Sequence, residues 1–418
     1  MYSPTTNRGV NSCLNTLSVE PKFASTKLLS AGGVLALTVL SALLLIAFQP
    51  AYAQTEKVLY SFGSYSGDGQ NPGYAPLIYK GNFYGTTQNG GANSYGTVFK
   101  VTASGKESLL YSFCSQSNCT DGGNPSSGVI SDKEGNLYGT TLNGGGGNWG
   151  TVFKVTLTGE ESVFYSFGAY SGDGAWPVGG VIVDKEGNLY GTTSLGGAND
   201  AGTVYKITSS GEESVLYSFG SHSEDGNGPQ AGLITDRESN LYGTTSGGGA
   251  NGSGTVFKVT PTGEESVLYG FGSFSGDGAN PFTGLVMDTE GNLYGTTSAG
   301  GKHKFGTAFK LTPSGEEKVI HSFGAGTEDG RGPNPLIIDK AGNLYGTTAL
   351  GSGKCYGTVF EMTLAGKETA LHHFYPDTGD GYDPQAGVVI NSKGNLYGTT
   401  AAGGKAAYAY GTMFEVTP

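Results

Sequence analysis

An all-β fold, a seven-bladed β-propeller of four-stranded antiparallel blades, is predicted by three observations. The hexapeptide NLYGTT, once as NFYGTT, occurs seven times, with its tyrosines at Tyr84, Tyr138, Tyr190, Tyr242, Tyr294, Tyr345 and Tyr397. These are 54, 52, 52, 52, 51 and 52 residues apart, so one unit is copied seven times after an N-terminal segment. Each unit holds four short runs rich in β-branched and aromatic residues, separated by Gly, Asp and Asn turn signals. Finally, the repeats are out of phase with the chain: a lone fourth run comes first, and three runs without a fourth come last.

In the second copy the runs are A (128–131), B (136–141), C (150–156) and D (161–167). Consecutive hairpins of this kind make a four-stranded sheet whose apolar faces must be covered by neighbouring sheets. GTVFKVT and SVFYSF lack clean alternation, as strands covered on both faces do. The exported chain opens with 56–62, a D strand, and closes with 386–390, 395–400 and 411–417, an A, a B and a C strand. The first strand therefore completes the last blade, which makes D the outermost strand and A the one lining the channel.

Residues 28–48 form an apolar run preceded by Arg8, Lys22 and Lys27 and followed by Ala51, Tyr52 and Ala53. Residues 1–53 read as a signal peptide, or as an N-terminal membrane anchor if uncleaved, because 21 apolar residues can span a bilayer. The propeller occupies 54–418, and any membrane contact is expected through the N-terminal segment alone. Cys13 lies before the apolar run and none follows it closely, which gives a lipid-modified N-terminus no support.

The formal charge is -12, and 54–418 carries 20 basic and 34 acidic side chains, a surface that repels phosphate backbones and excludes nucleic acid as a partner. In the exported part, Cys114 and Cys119 flank four residues in a D–A loop two residues longer than its counterparts. An oxidising compartment makes a local disulfide their expected use, worth at most about 2 kcal/mol. Cys355 has no phased partner and reads as a free thiol or a small buried residue.

The A–B and C–D connections are tight turns, with Asp132, Asp184, Asp236, Asp288 and Asp339 placed to cap them through backbone N–H groups. The B–C and D–A connections are longer and vary between copies, so binding is assigned to their face. Each D–A loop carries one Asp-Gly: Asp68, Asp121, Asp173, Asp225, Asp277, Asp329 and Asp380. This reads first as a turn; a ring of carboxylates for cations or sugar hydroxyls is the alternative, but one carboxylate per loop falls short of a calcium site. No metal site is assigned.

An aromatic residue ends five B–C loops, Tyr95, Trp149, Phe305, Tyr356 and Tyr410, and the D–A loops add Tyr65, Tyr170, Trp176, Phe274, Phe282 and Tyr382. Tyr95, Trp149 and Trp176 are the candidate ring platforms for a sugar or a protein partner. Blades five to seven also carry Lys302, His303, Lys304, Lys354 and Lys405 where the first four B–C loops have one charge, Asp200. Lys302, Lys304 and Lys354 are therefore the candidate anion-selecting residues. His222 and His303 read as single loop residues, and His321, His372 and His373 as strand positions. No GxSxG, HExxH, CxxC pair or P-loop is present, so no catalytic residue and no cofactor are assigned.

The unit DxxGNLYGTTxxGG…GTVFKVTxxGxExxLYSFGxxxGDGxxP, repeated from Glu56 to Pro418, resembles the GloVer tandem repeat of Gloeobacter and Verrucomicrobia proteins. That resemblance implies an exported bacterial protein, often followed by a C-terminal surface anchor; here the sequence ends at Pro418 within the last C run, so anchoring would fall to the N-terminal segment. DxxGNLY is also similar to the strand-turn signature of NHL-type and streptogramin-lyase-like propellers, without the phased His and acid set of the lyases. The expected function is a binding or interaction scaffold for glycans (polysaccharide) or cell-surface proteins. A propeller lyase or hydrolase at the channel mouth and a structural envelope protein are the alternatives.

Overall fold

Every NLYGTT falls on the second strand of a four-stranded antiparallel sheet, and the described residues form seven such sheets in a ring. The structure is a computed structural model that describes residues 55–418 except 327–328, 352–355, 376–378 and 406–409. The N-terminal segment, Cys13, Lys354 and Cys355 lie outside the described residues. In the third blade, A is Ile182–Val183, B Leu189–Thr193, C Thr203–Ile207 and D Glu213–Ser218, hydrogen-bonded in that order. Neighbouring A strands touch one another, as Leu77–Tyr79 touches Ile130–Ser131, which places A innermost.

The ring closes as the phase of the repeats predicts. Thr55–Ser61 pairs antiparallel with Thr412–Thr417, Thr55 opposite Thr417 and Ser61 opposite Thr412. Each unpaired edge so covered is one fewer template for association.

Blade four shows why the hexapeptide recurs. Asn240 donates from Nδ2 to Oδ2 of Asp236 at 2.7 Å, locking the A–B turn. Leu241 enters the apolar cluster shared with blade three, and the next residue, Tyr242, packs on the cluster shared with blade five, as the alternation of a strand requires. Its hydroxyl also donates to Asp236, at 2.9 Å. Gly243 lies under the Phe257 ring of strand C, where a Cβ would come within 2.6 Å of Cζ. Thr244 donates to the carbonyl of Thr283 in blade five at 3.0 Å, and Thr245 meets Thr255 of strand C at 2.8 Å. Six consecutive residues thus serve the turn, both neighbouring blades and the next strand.

Seven apolar clusters lie between adjacent blades, including one that joins Leu59 and Phe62 of the first strand to Phe83, Phe99 and Tyr397. Of the seven repeat tyrosines, Tyr190 and Tyr242 are half-buried and the other five buried.

Three details depart from the sequence reading. Strand A is two or three residues long, with Ile130–Ser131 observed where 128–131 is expected. Every C–D pair carries a bulge: Val152 faces Tyr165 and Phe153 faces Val163, leaving Phe164 as the extra residue. The bulge contributes to the lost alternation that double-sided packing alone was expected to explain. The D–A and B–C loops also pair with each other, as Gly174–Ala175 does with Leu195–Gly196, so the variable loops stand on a second short ladder.

Candidate functional site

The loop aspartates anchor their own turns. Asp68 is buried; Oδ2 accepts from the Tyr60 hydroxyl at 2.7 Å and the Ser64 N–H at 2.8 Å, while Oδ1 accepts from the Gly69 N–H at 2.7 Å. The same tyrosine-to-aspartate bond recurs at Tyr111, Tyr165, Tyr217 and Tyr269, and in the last two D–A loops a histidine takes the place of tyrosine. His321 lies 3.2 Å from Asp329 and His372 2.9 Å from Asp380. These bonds carry out the turn role.

The bonds also place each aspartate near a glutamate at the start of strand D in the next blade. The outer strands run around the ring, so the C–D turn of one blade abuts strand D of the one before; a Cβ on Gly159 would come within 2.6 Å of the Leu110 carbonyl. Burial, reinforced by the Asp121 charge, pushes the Glu161 carboxyl up to about 7. Glu265 and Glu317 are raised to about 7 in the same way by burial and then by Asp225 and Asp277. Tyr65 and Tyr170 reach across to this pair and donate to Glu107 at 3.0 Å and Glu213 at 2.7 Å. A glutamate opening a strand reads as an exposed edge residue, and only the course of the outer strands reveals its partner.

The chain's two tryptophans come together. Trp149, at the end of the second B–C loop, and Trp176, in the following D–A loop, have ring centroids 6.3 Å apart with planes inclined at 43°. Trp149 is 44% exposed and lies over Gly168, where a Cβ would approach Cδ1 to 2.4 Å. Its carbonyl accepts the Trp176 N–H at 2.9 Å, a bond repeated at each interface, as from Asn124 to Tyr95 and from Asn280 to Ser253.

The donor residue of that bond has positive φ in every copy, and the other six are Asn71, Asn124, Gly228, Asn280, Gly332 and Asp383. These are residues that tolerate the left-handed region; Trp176, at φ 57, is not. A strained bulky residue at an exposed loop on a rigid scaffold is an observation that points toward function. The signal is legible in the aligned D–A loops, where Trp stands in a column of Asn, Gly and Asp.

The remaining candidates are spread around the face. Tyr95 is 42% exposed and belongs to blade one, against Gly123 of the adjoining D–A loop. Lys302 and Lys304 are exposed in blade five beside Phe305, three blades from Trp149. Arg331, which sequence reasoning passed over, stacks on Phe305 at 4.2 Å and enlarges the basic sector. Tyr356 and Tyr382 form a second aromatic pair at 5.8 Å. Cys114 and Cys119 are joined by a disulfide in the loop before blade two.

The tight-turn face is not featureless. A cleft of about 680 Å³ opens there between blades two and three, lined by Asp132, Lys133, Tyr138, Lys154, Asp184 and Lys185 among others. Its aspartates are tied into their turns: Asp184 accepts from the N–H and Nδ2 of Asn188, both at 2.8 Å.

A model of the Gloeobacter/Verrucomicrobia repeat matches residues 44–175, 170–333 and 234–418. The chain belongs to this family. No curated protein matches the GloVer-repeat chain in sequence. Among solved structures, it is similar to the extracellular domains assigned to two hybrid two-component systems of B. thetaiotaomicron, each with a TM-score of 0.55 and 14% identity. The matches cover 88% and 87% of this chain and 43% and 41% of those, so it spans less than half the length of these relatives. At such identity the likeness is one of fold, and it agrees with the propeller of the GloVer repeats. Among the described residues, no helix is long and apolar enough to cross a membrane.

Proposed function

We propose that this GloVer-repeat protein is an exported binding scaffold whose B–C and D–A face takes a polysaccharide. The observation that carries this reading is the Trp149–Trp176 pair. Two flat rings inclined to each other, one of them held in a left-handed backbone conformation that Asn, Gly or Asp takes at the equivalent position of the other six copies, make a platform for the apolar faces of sugar rings. Tyr95 extends the aromatic surface one blade further, Lys302 and Lys304 favour acidic sugars three blades away, and Lys354, which lies outside the described residues, is assigned the same role from its sequence position. The extracellular location of the similar B. thetaiotaomicron domains and the signal-like segment at 1–53 support an exported role.

The test is binding to a panel of neutral and acidic polysaccharides, measured by calorimetry on the exported chain and on Trp149→Ala. Anchor aromatics carry much of an interface's energy, so the variant should bind about thirtyfold more weakly, roughly 2 kcal/mol. Binding to an acidic polysaccharide should also weaken as salt rises. No binding by the wild type, or undiminished binding by Trp149→Ala, would reject the reading.

A further inference from the structure

The interface between blades three and four differs from its counterparts in what faces the carboxylate pair. Where Tyr65 and Tyr170 donate a hydroxyl to the glutamate of the next blade, the equivalent loop residue here is His222. A ligand nitrogen of His222 and carboxylate oxygens of Asp225 and Glu265 lie within 4.8 Å of one another. We propose that these three residues bind a divalent metal ion of the zinc class.

An open aspartate oxygen supports the site. Asp225 is 4% exposed, and its Oδ2 accepts from the Tyr217 hydroxyl at 2.8 Å and the Ser221 N–H at 2.9 Å. Its Oδ1 is buried with no hydrogen-bond partner. In Asp68, Asp173, Asp277 and Asp380 that atom accepts the N–H of the following glycine at 2.6 to 2.7 Å. Glu265 Oε1 is also buried and unpartnered, but so is that atom in the six other strand-D glutamates, so the open Asp225 oxygen together with His222 is what sets this interface apart. A buried carboxylate oxygen without a donor is costly, and a cation removes that cost.

The donor set selects the ion. One imidazole nitrogen and two carboxylate oxygens suit zinc, with water in the fourth position, whereas calcium requires about six to eight oxygens. Zinc bonds of about 2.0 to 2.2 Å need the three atoms drawn closer together. His222 supplies that movement, being exposed on the loop while Asp225 stays fixed by strand D.

Among the described residues, a second histidine-carboxylate trio, Glu56, His372 and Asp380, is the internal comparison. There the His372 nitrogen already lies 2.9 Å from Asp380 Oδ2, and Asp380 Oδ1 accepts from Gly381, so the aspartate has no open oxygen. That trio belongs to the ring closure.

The experiment is zinc titration of the chelator-treated full chain by calorimetry, with melting curves alongside, for wild type, His222→Tyr and His372→Tyr. The tyrosine at 222 is what two other D–A loops carry, so that variant should fold. Wild type should bind one equivalent of zinc with a rise in Tm, and calcium should not substitute for it. His222→Tyr should lose at least tenfold in affinity while its zinc-free Tm is kept, and His372→Tyr should retain the binding. Absence of zinc binding, unchanged binding by His222→Tyr, or its loss in His372→Tyr would overturn the proposal.

Discussion

Thr399 donates its hydroxyl to the carbonyl of Tyr74 at 2.9 Å, joining residues 325 positions apart across the seam of the ring. The same bond links the other blades, from Thr86 to Ser127, Thr192 to Ala231 and Thr244 to Thr283. The seam is therefore held as the continuous interfaces are, provided that the first strand completes the last blade.

Thr399→Val should cost about 1 kcal/mol, the net value of one buried hydrogen bond, read as a fall in the urea midpoint at constant slope. Deleting residues 54–62 removes the whole outer strand and exposes the edge of Thr412–Thr417, so Tm and solubility should both fall sharply. An unchanged melting curve for the deletion would contradict the closure.

Tyr205 occupies the strand-C position that is Phe in the six other blades, and its hydroxyl is fully buried with no hydrogen-bond partner. Replacing it with Phe removes an unsatisfied polar group and keeps the ring. Tyr205→Phe should stabilise the protein by roughly 1 kcal/mol or more, measured by denaturant unfolding. A destabilised variant would mean that the hydroxyl has a partner in solution.

The strand-D glutamates set a pH dependence. Burial first, then the neighbouring aspartate, raises Glu161 and its equivalents from an ordinary 4.5 to about 7. A carboxyl raised in the folded state contributes stability that is complete below its unfolded value and is lost as pH climbs toward about 7. Tm should therefore rise on acidification from about pH 8 to about pH 5. Glu161→Gln, which mimics the protonated form, should melt higher than wild type at about pH 8 and show a shallower dependence. At lower pH the turn aspartates act oppositely. Burial raises Asp184, but bonds from Asn188 and Tyr190 outweigh it and hold the carboxyl below 3.8, so stability should fall again under strong acid.

Trp176→Asn places at φ 57 the residue that Asn71, Asn124 and Asn280 supply elsewhere. Relief of a strained backbone should stabilise by about 1 kcal/mol, while polysaccharide binding weakens. A gain in stability with undiminished binding would assign Trp176 no part in the platform.

Much of the architecture is legible in the sequence because pairing within a blade is local. A period of 52 residues, turn residues between short runs and a phase offset at the termini determine blade number, strand order and ring closure without reference to any distant contact. The tight-turn caps are legible for the same reason, since Asp236 bonds residues within six positions of itself. Even Trp149 and Trp176 stand out by type and by loop, though not as a pair.

Contacts between blades were decided by the tertiary structure. Asp225 and Glu265 meet because the outer strand of one blade runs around the ring toward the start of the next, and Trp149 meets Trp176 because one backbone bond fixes both loops. These pairs are 40 and 27 positions apart, and their geometry depends on strand bulges and on the course of strand D, which residue spacing does not encode. The repeat determines which surfaces face each other; close packing between twisted sheets decides which of their side chains touch.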